Sequence, residues 1–197
     1  MIRKLLIGTG NPSKVEHYKQ YFSDMPLELV SAHDLGITEQ PEETGQTLEE
    51  NAILKAKYYS KKSGLPTLAD DAGFEIPALG NFPGLLSRRF AGHEMTDEEV
   101  IAGILERMKD LKGHERRAHM RVVCALALDP KHVYTASGVI EGRVPEAPYE
   151  KRQPHFPYRS LLFVDKLNVW FDEMAGELED KIGYRKAALE QLKQYLK

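Results

Sequence analysis

The chain has 197 residues, with 27 lysines and arginines against 30 aspartates and glutamates, a formal net charge of −3. That length suits one domain or two closely joined lobes, and it buries enough surface to need no disulfide or structural metal. With 42% hydrophobic and 29% charged residues, the composition is that of an ordinary globular protein, neither disordered nor fibrous. Nearly balanced charge argues against a general polyanion binder, so no nucleic-acid partner is expected. The single cysteine, Cys124, cannot close an intramolecular disulfide, which fits a reducing, cytoplasmic setting. The longest apolar run, residues 122–128, is far short of the ~20 residues that span a bilayer. The opening apolar run stops at Gly8, before a signal-peptide core forms, and no membrane partner is expected.

Residues 5–8 read as a short buried strand, an apolar run cut off by a glycine. The turn-rich Gly8-Thr9-Gly10-Asn11-Pro12-Ser13-Lys14 leads into a helix through Tyr18, Tyr21 and Phe22, and residues 27–30 give a second strand. Residues 36–45, with Pro41, Glu39, Glu42 and Glu43, are a loop by composition. Thr47-Leu48-Glu49-Glu50 is a capping-box pattern. It opens a helix that places Leu48, Ala52, Ala56 and Tyr59 on one face and stops near Gly64. Residues 67–73 predict a strand running into a turn that carries Asp70 and Asp71, with Gly73 as the turning point. A glycine- and proline-rich loop spans residues 80–84. Thr96-Asp97-Glu98-Glu99 is a second capping box, with Val100, Ile104, Met108 and Leu111 as the buried stripe and Gly113 as the stop. Residues 121–129 and 133–144 read as paired strands, residues 161–164 as another, and an amphipathic helix through Ala188, Leu189, Leu192 and Leu196 closes the chain. No repeat or linker appears, so residues 1–197 read as a single domain. Early alternation and later clustering of strands predict an α/β protein with a mixed sheet.

Three groups could carry chemistry. The Gly8–Lys14 turn can present backbone N–H groups and a helix start to a phosphate, with Lys14 adding charge, or it can be a plain strand–helix turn. It matches neither a dinucleotide fingerprint nor a P-loop. Asp70-Asp71 can hold Mg²⁺, which needs only one or two carboxylates when phosphates complete its shell, or it can be a solvated turn. Lys55 falls at the edge of a buried helix stripe, five residues from Glu50 and six from Glu49, so neither is a standard helix ion pair. It is either snorkelling or reaching into a cleft. The basic run Lys112, His114, Arg116, Arg117, His119 and Arg121 reads as a solvated edge, and the seven histidines show no metal-ligand spacing.

Taken together, these segments resemble one family. The run Glu43-Thr44-Gly45-x-Thr47-Leu48-x-Glu50-Asn51-Ala52-x-x-Lys55-Ala56, then Leu68-Ala69-Asp70-Asp71-Ala72-Gly73-Phe74-Glu75, then Ala78-Leu79-Gly80-x-x-Pro83-Gly84, is similar to the inosine/xanthosine triphosphate pyrophosphatase (Ham1-like) family. Thr9-Gly10-Asn11-x-x-Lys14 fits the same pattern. The resemblance implies a two-lobed α/β fold around a long, mixed, twisted sheet with flanking helices, an active-site cleft between lobes, and a homodimer. It implies Mg²⁺-dependent hydrolysis of deaminated purine nucleoside triphosphates to monophosphate and pyrophosphate. Under it, Thr9, Gly10, Asn11, Lys14 and Lys55 hold phosphates. Glu43, Asp70 and Asp71 organise Mg²⁺, and Asp71 is the general base, with Lys14 and Lys55 also counted as catalytic. Ala72, Phe156, Pro157, Tyr158, Arg159, Tyr184 and Arg185 fall at the remaining substrate positions.

The base-reading positions depart from the pattern. Phe156-Pro157-Tyr158-Arg159-Ser160 stands where the family has Phe-Gly-Tyr-Asp-Pro. Glu179 precedes Gly183-Tyr184-Arg185 where a lysine precedes Ser-His-Arg, and Ala72 replaces a serine. The reversed charges predict an ion pair between Arg159 and Glu179. Two alternatives stay open: the same chemistry on a different or modified nucleotide, and a nucleotide-binding protein without turnover.

Overall fold

The computed structural model of the protein describes residues 2–174 and 183–196. Among the described residues, four helices form around eight strands whose hydrogen-bonded order is β2-β1-β3-β5-β6-β7-β8, with β5 spanning Arg117–Ala127 and β4 on the flank of β3. The chain divides into two compact units. One holds Met1–Ala72, Val122–Gly138 and Arg185–Lys197; the other holds Gly73–Arg121 and Val139–Tyr184.

In the first unit, β1 (Lys4–Ile7) lies parallel to β2 (Glu28–Ser31) and to the start of β3 (Thr67–Ile76). Leu5, Leu6 and Ile7 are all fully buried, so both faces of β1 are covered and the strand reads as a continuous apolar run. The two crossovers are α1 (Pro12–Tyr21), from β1 to β2, and α2 (Leu48–Ser63), from β2 back across β1 to β3. Right-handed crossovers leaving in opposite directions place the two helices on opposite faces of the sheet. Leu6, Val30, Ala32 and Tyr59 form one core cluster on the α2 side. The Thr47 side chain caps α2 by accepting the Glu50 N–H, but the Glu50 carboxylate reaches the Gln46 N–H, so the predicted box closes one residue early. Gly64, left-handed at φ 70°, ends the helix as expected. The last helix, α4 (Tyr184–Leu192), carries buried Ala188, Leu189 and Leu192.

In the second unit, the latter half of β3 pairs with β4 (Phe82–Gly84), and the end of β6 (Val133–Arg143) pairs with β7 (Phe163–Val164), which pairs with β8 (Val169–Trp170). The helix α3 (Asp97–Arg107) starts on a complete capping box between Thr96 and Glu99. It ends at Arg107 rather than at Gly113. Residues 108–110 form a turn instead, and Leu111 and Lys112 are irregular.

Two sequence expectations are corrected. Gly73 does not turn the chain: β3 runs on to Ile76 as extended strand. The basic run is no solvated edge throughout. The Arg116 guanidinium donates to the carbonyls of Met108, Val144 and Pro145, and Arg121 and His119 both meet Glu75, at 2.9 and 2.6 Å. A planar donor fork consumed by main-chain carbonyls fixes a fold rather than a polyanion.

Candidate active site

The strand order puts β1 beside β3 although β2 lies between them in sequence. The chain's direction through the sheet therefore reverses between β1 and β3, and open α/β sheets bind ligands at the carboxyl ends of strands at such a point. A cavity of about 330 Å³ opens there. Its walls are the segment after β1 (Gly8, Thr9, Gly10, Asn11, with Lys14 from α1), the β3 carboxylates Asp70 and Asp71, the acidic loop (Gln40, Pro41, Glu43), and Lys55 and Tyr59 of α2. All of these belong to the first unit.

Local sequence explains the wall after β1. The Gly8 N–H is held by the Leu68 carbonyl of β3 at 2.8 Å, which ties the turn to the strand carrying the aspartates. The Thr9 hydroxyl accepts the Asn11 N–H at 3.2 Å, and Pro12 begins α1, where its missing N–H costs nothing.

The continuous strand makes adjacent side chains diverge, and the two aspartates do so. Asp70 takes Lys14 Nζ on both oxygens, at 3.1 and 2.9 Å, and lies 3.8 Å from the Arg185 guanidinium at the start of α4. Its side chain is 1% exposed. Burial pushes its pKa up, but Lys14 and Arg185 more than offset this and hold it at about 2. Asp71 accepts Lys55 Nζ at 2.8 Å on one oxygen and the Asn51 amide at 3.4 Å on the other. Here burial outweighs Lys55, Glu43 adds repulsion, and the carboxyl rises above its ordinary value. Neighbouring residues of one type are thus driven in opposite directions by their surroundings.

Lys55 is not snorkelling. Its ammonium is shared between Asp71 and Glu43 Oε1, at 2.8 and 3.0 Å. Burial lowers its pKa, and the two carboxylates raise it by more, so it stays charged. Glu39, paired with Lys62 and accepting the Tyr58 hydroxyl, pins the acidic loop to α2. Asn51, which sequence reasoning passed over, is the other organiser. Buried on α2, it donates to Asp71 while its oxygen accepts the Gly45 N–H at 2.8 Å. A Cβ on residue 45 would sit 2.5 Å from that oxygen and 2.9 Å from the Asn51 backbone, so the approach requires glycine. The pairing of Asn51 with Gly45, six residues apart across a helix start, was the available signal.

The remaining expected residues do not line this cavity. Tyr158 stacks on Phe74 at 5.0 Å and donates its hydroxyl to the Ser87 carbonyl at 2.5 Å. Arg159 donates to the carbonyls of Phe171 and Met174, at 3.0 and 2.7 Å, and lies over the Phe171 ring. Glu179 lies outside the described residues. Tyr184 is buried edge-on to Phe171, and Pro157 is buried. Phe156 is the exposed one, at 48%. Ala72 follows Asp71 in β3 and is half-buried.

The cavity holds two lysines against three carboxylates. Among the described residues no three His, Cys, Asp or Glu side chains form a ready metal cage. Glu43 and Asp71, however, converge on a single cation, the Lys55 ammonium. Two carboxylates brought to one point suit an ion that keeps water and takes phosphate oxygens for the rest of its shell.

The sequence profile of the Ham1 family matches residues 5–195. A Thermus thermophilus protein named dITP/XTP pyrophosphatase is 39% identical over 96% of this chain and 89% of its own length. A Haemophilus influenzae protein of the same name is 38% identical over the whole of both chains. The solved structure of a Coxiella burnetii HAM1 protein superposes with a TM-score of 0.88 at 31% identity, covering 99% of this chain and 98% of that one. That of the Staphylococcus aureus Ham1 protein gives 0.86 at 28%, with 98% of each covered. Sequence profile, full-length relatives and superposed structures agree: the chain belongs to the Ham1 family.

Proposed function

We propose that the protein hydrolyses non-standard purine nucleoside triphosphates of the dITP and XTP type to monophosphate and pyrophosphate, with Mg²⁺. The observation that supports this best is the convergence of Glu43 and Asp71 on one cation position beside the Gly8–Lys14 turn. The names of the relatives point to the same substrates.

The charge balance supports a metal. Three carboxylates outnumber two lysines, so a triphosphate enters a cavity of unfavourable sign unless a divalent cation comes with it. Glu43 and Asp71 would hold that ion, and when bound it would neutralise phosphate charge and lower the pKa of nearby water. Lys14 and Lys55 meet phosphate oxygens, and the N–H groups of the turn after β1 add donors where charge grows. Asp71 takes a proton from the attacking water as its oxygen bonds to the α-phosphorus. The bond from that phosphorus to the bridging oxygen breaks, and pyrophosphate leaves with the oxygen. Asn51 and Lys55 hold the Asp71 carboxylate in place for this step.

Base preference rests on the relatives' names; of the altered stretch, Tyr158 and Arg159 donate to main-chain carbonyls while Phe156 stays exposed. A homodimer and a cytoplasmic setting belong to the same proposal, and sedimentation tests the former. The direct test is a panel of dITP, XTP, dATP and dGTP with Mg²⁺, assayed separately for pyrophosphate and orthophosphate. Pyrophosphate from dITP and XTP at rates at least tenfold above dATP supports the reading. Binding without turnover of any nucleotide, or release of orthophosphate alone, contradicts it.

A further inference from the structure

Asp70 is set apart from the other two carboxylates of the cavity by its surroundings. Its side chain is 1% exposed, against 14% for Asp71 and 38% for Glu43. Both its oxygens are occupied by Lys14 Nζ, at 3.1 and 2.9 Å, and Arg185 approaches one of them at 3.8 Å. The hydroxyl of Tyr18, fully buried on α1, lies close enough to Asp70 to feel its charge. Glu43 and Asp71 share a single lysine and stay partly open, whereas a divalent ion at Asp70 would meet two cations on a carboxylate with both oxygens taken. Mg²⁺ gives up its waters reluctantly and keeps several of them, so a buried carboxylate already facing two cations suits it poorly.

Lys14 poses the complementary problem. A lysine is a point charge on a flexible four-carbon stem and does not aim itself. Its place in the first turn of α1 delivers the stem, and the two-oxygen contact with Asp70 fixes the ammonium at the cavity wall. We infer that Asp70 is a positioning residue that acts through Lys14, steadied by Arg185, and is not a ligand of the metal. This rests on the proposed phosphate chemistry, and it assigns Arg185 a task at the phosphate end of the site.

The charge gives the inference a distinctive signature. Asp70→Asn removes a negative charge from an anion-binding cavity, so electrostatics alone cannot weaken phosphate binding. With Mn²⁺ affinity unchanged, a loss of rate then points to the disordered lysine. Asp70→Asn is therefore expected to lower kcat by about 10–100-fold, the scale of a roughly 1 Å misplacement, without raising KM. Combining it with Lys14→Met should cost no more than Lys14→Met alone, as for residues acting as one unit. Mn²⁺ binding, measured calorimetrically on the protein without nucleotide, should stay within about threefold of wild type in Asp70→Asn. It should fall at least about tenfold in Asp71→Asn. Multiplicative losses with Lys14→Met, or Mn²⁺ affinity falling in Asp70→Asn as in Asp71→Asn, would overturn the inference.

A wild-type measurement removes any dependence on folding of the variant. In crystals grown with Mn²⁺ and pyrophosphate, no Asp70 oxygen should lie at ligand distance from the anomalous Mn²⁺ peak, while Lys14 Nζ remains on Asp70. An Asp70 oxygen in the metal's coordination sphere refutes the assignment. Failure of wild type to release pyrophosphate from any nucleotide strikes the proposed function instead. The metal and lysine contacts of Asp70 are read independently of it.

Discussion

The two compact units carry equally recognisable motifs and use them differently. In the first, Lys14, Glu43, Lys55, Asp70 and Asp71 come from four separate segments and converge on one open cavity. In the second, Tyr158 and Arg159 spend their donors on main-chain carbonyls of Ser87, Phe171 and Met174, and Tyr184 is buried against Phe171. A charged side chain facing other side chains across a cavity can be redirected by a ligand. One locked onto backbone carbonyls is part of the scaffold. The first unit thus presents charged side chains to a cavity, while Tyr158 and Arg159 tie main-chain segments of the second together.

The comparison is most easily broken at Asp71. Asp71→Asn keeps the shape but removes the proton acceptor and half of the carboxylate pair, and kcat should fall by about 10²–10⁴-fold. A loss under tenfold in a pyrophosphate-release assay would move the chemistry away from this cavity. Lys55→Met leaves Glu43 and Asp71 facing one another without their shared cation. A loss of about 10²-fold in kcat/KM is expected, of the size seen for removing one preorganised donor. Arg159→Met probes the other unit. It strips donors from the Phe171 and Met174 carbonyls, and charge-assisted bonds of this kind each stabilise by about 1.5–3 kcal/mol. At about 2–4 °C per kcal/mol for a chain of this size, thermal unfolding should drop by about 6 °C or more, with the ratio of dITP to dATP turnover unmoved. A changed ratio at undiminished stability would make Arg159 a reader of the base.

A smaller effect sharpens the contrast within β3. Asp70, at about 2 when folded against an ordinary 3.8, contributes stability that is fully present above 3.8 and lost as pH falls through 2. Asp71, raised on folding, has the opposite sign: its contribution is present below 3.8 and lost as pH rises through its folded value. Urea unfolding of metal-free protein between pH 2 and 5 should show a steeper acid loss in Asp71→Asn than in Asp70→Asn. Identical profiles would mean that the two carboxylates share one environment. Smallest of all, burial pushes the Cys124 thiol up to about 12, so the native protein should leave a thiol reagent unreacted at pH 8 and react on unfolding.

The first unit was largely legible in the sequence, because its signals are local. The apolar run cut at Gly8, the Thr47 cap and the Gly64 stop each act within a few residues. The long-range pairings were not legible. Nothing in the spacing of Lys14 and Asp70, or of Arg185 and Asp70, announces contact. The turn expected at Gly73 failed because a glycine permits a bend without requiring one, and pairing with β4 holds β3 straight to Ile76. The main-chain bonds that Tyr158 and Arg159 make, to the carbonyls of Ser87, Phe171 and Met174, were equally invisible in the motif that carries them.

The central claim is that water attacks the α-phosphorus at the cavity between β1 and β3, with Asp71 taking the proton. Hydrolysis of dITP in ¹⁸O-enriched water, followed by mass spectrometry of both products, tests it most directly. Label in the nucleoside monophosphate and none in pyrophosphate, with both products formed at least about 10²-fold more slowly by Asp71→Asn, is the predicted result. Label in pyrophosphate, or undiminished labelling by Asp71→Asn, would contradict it.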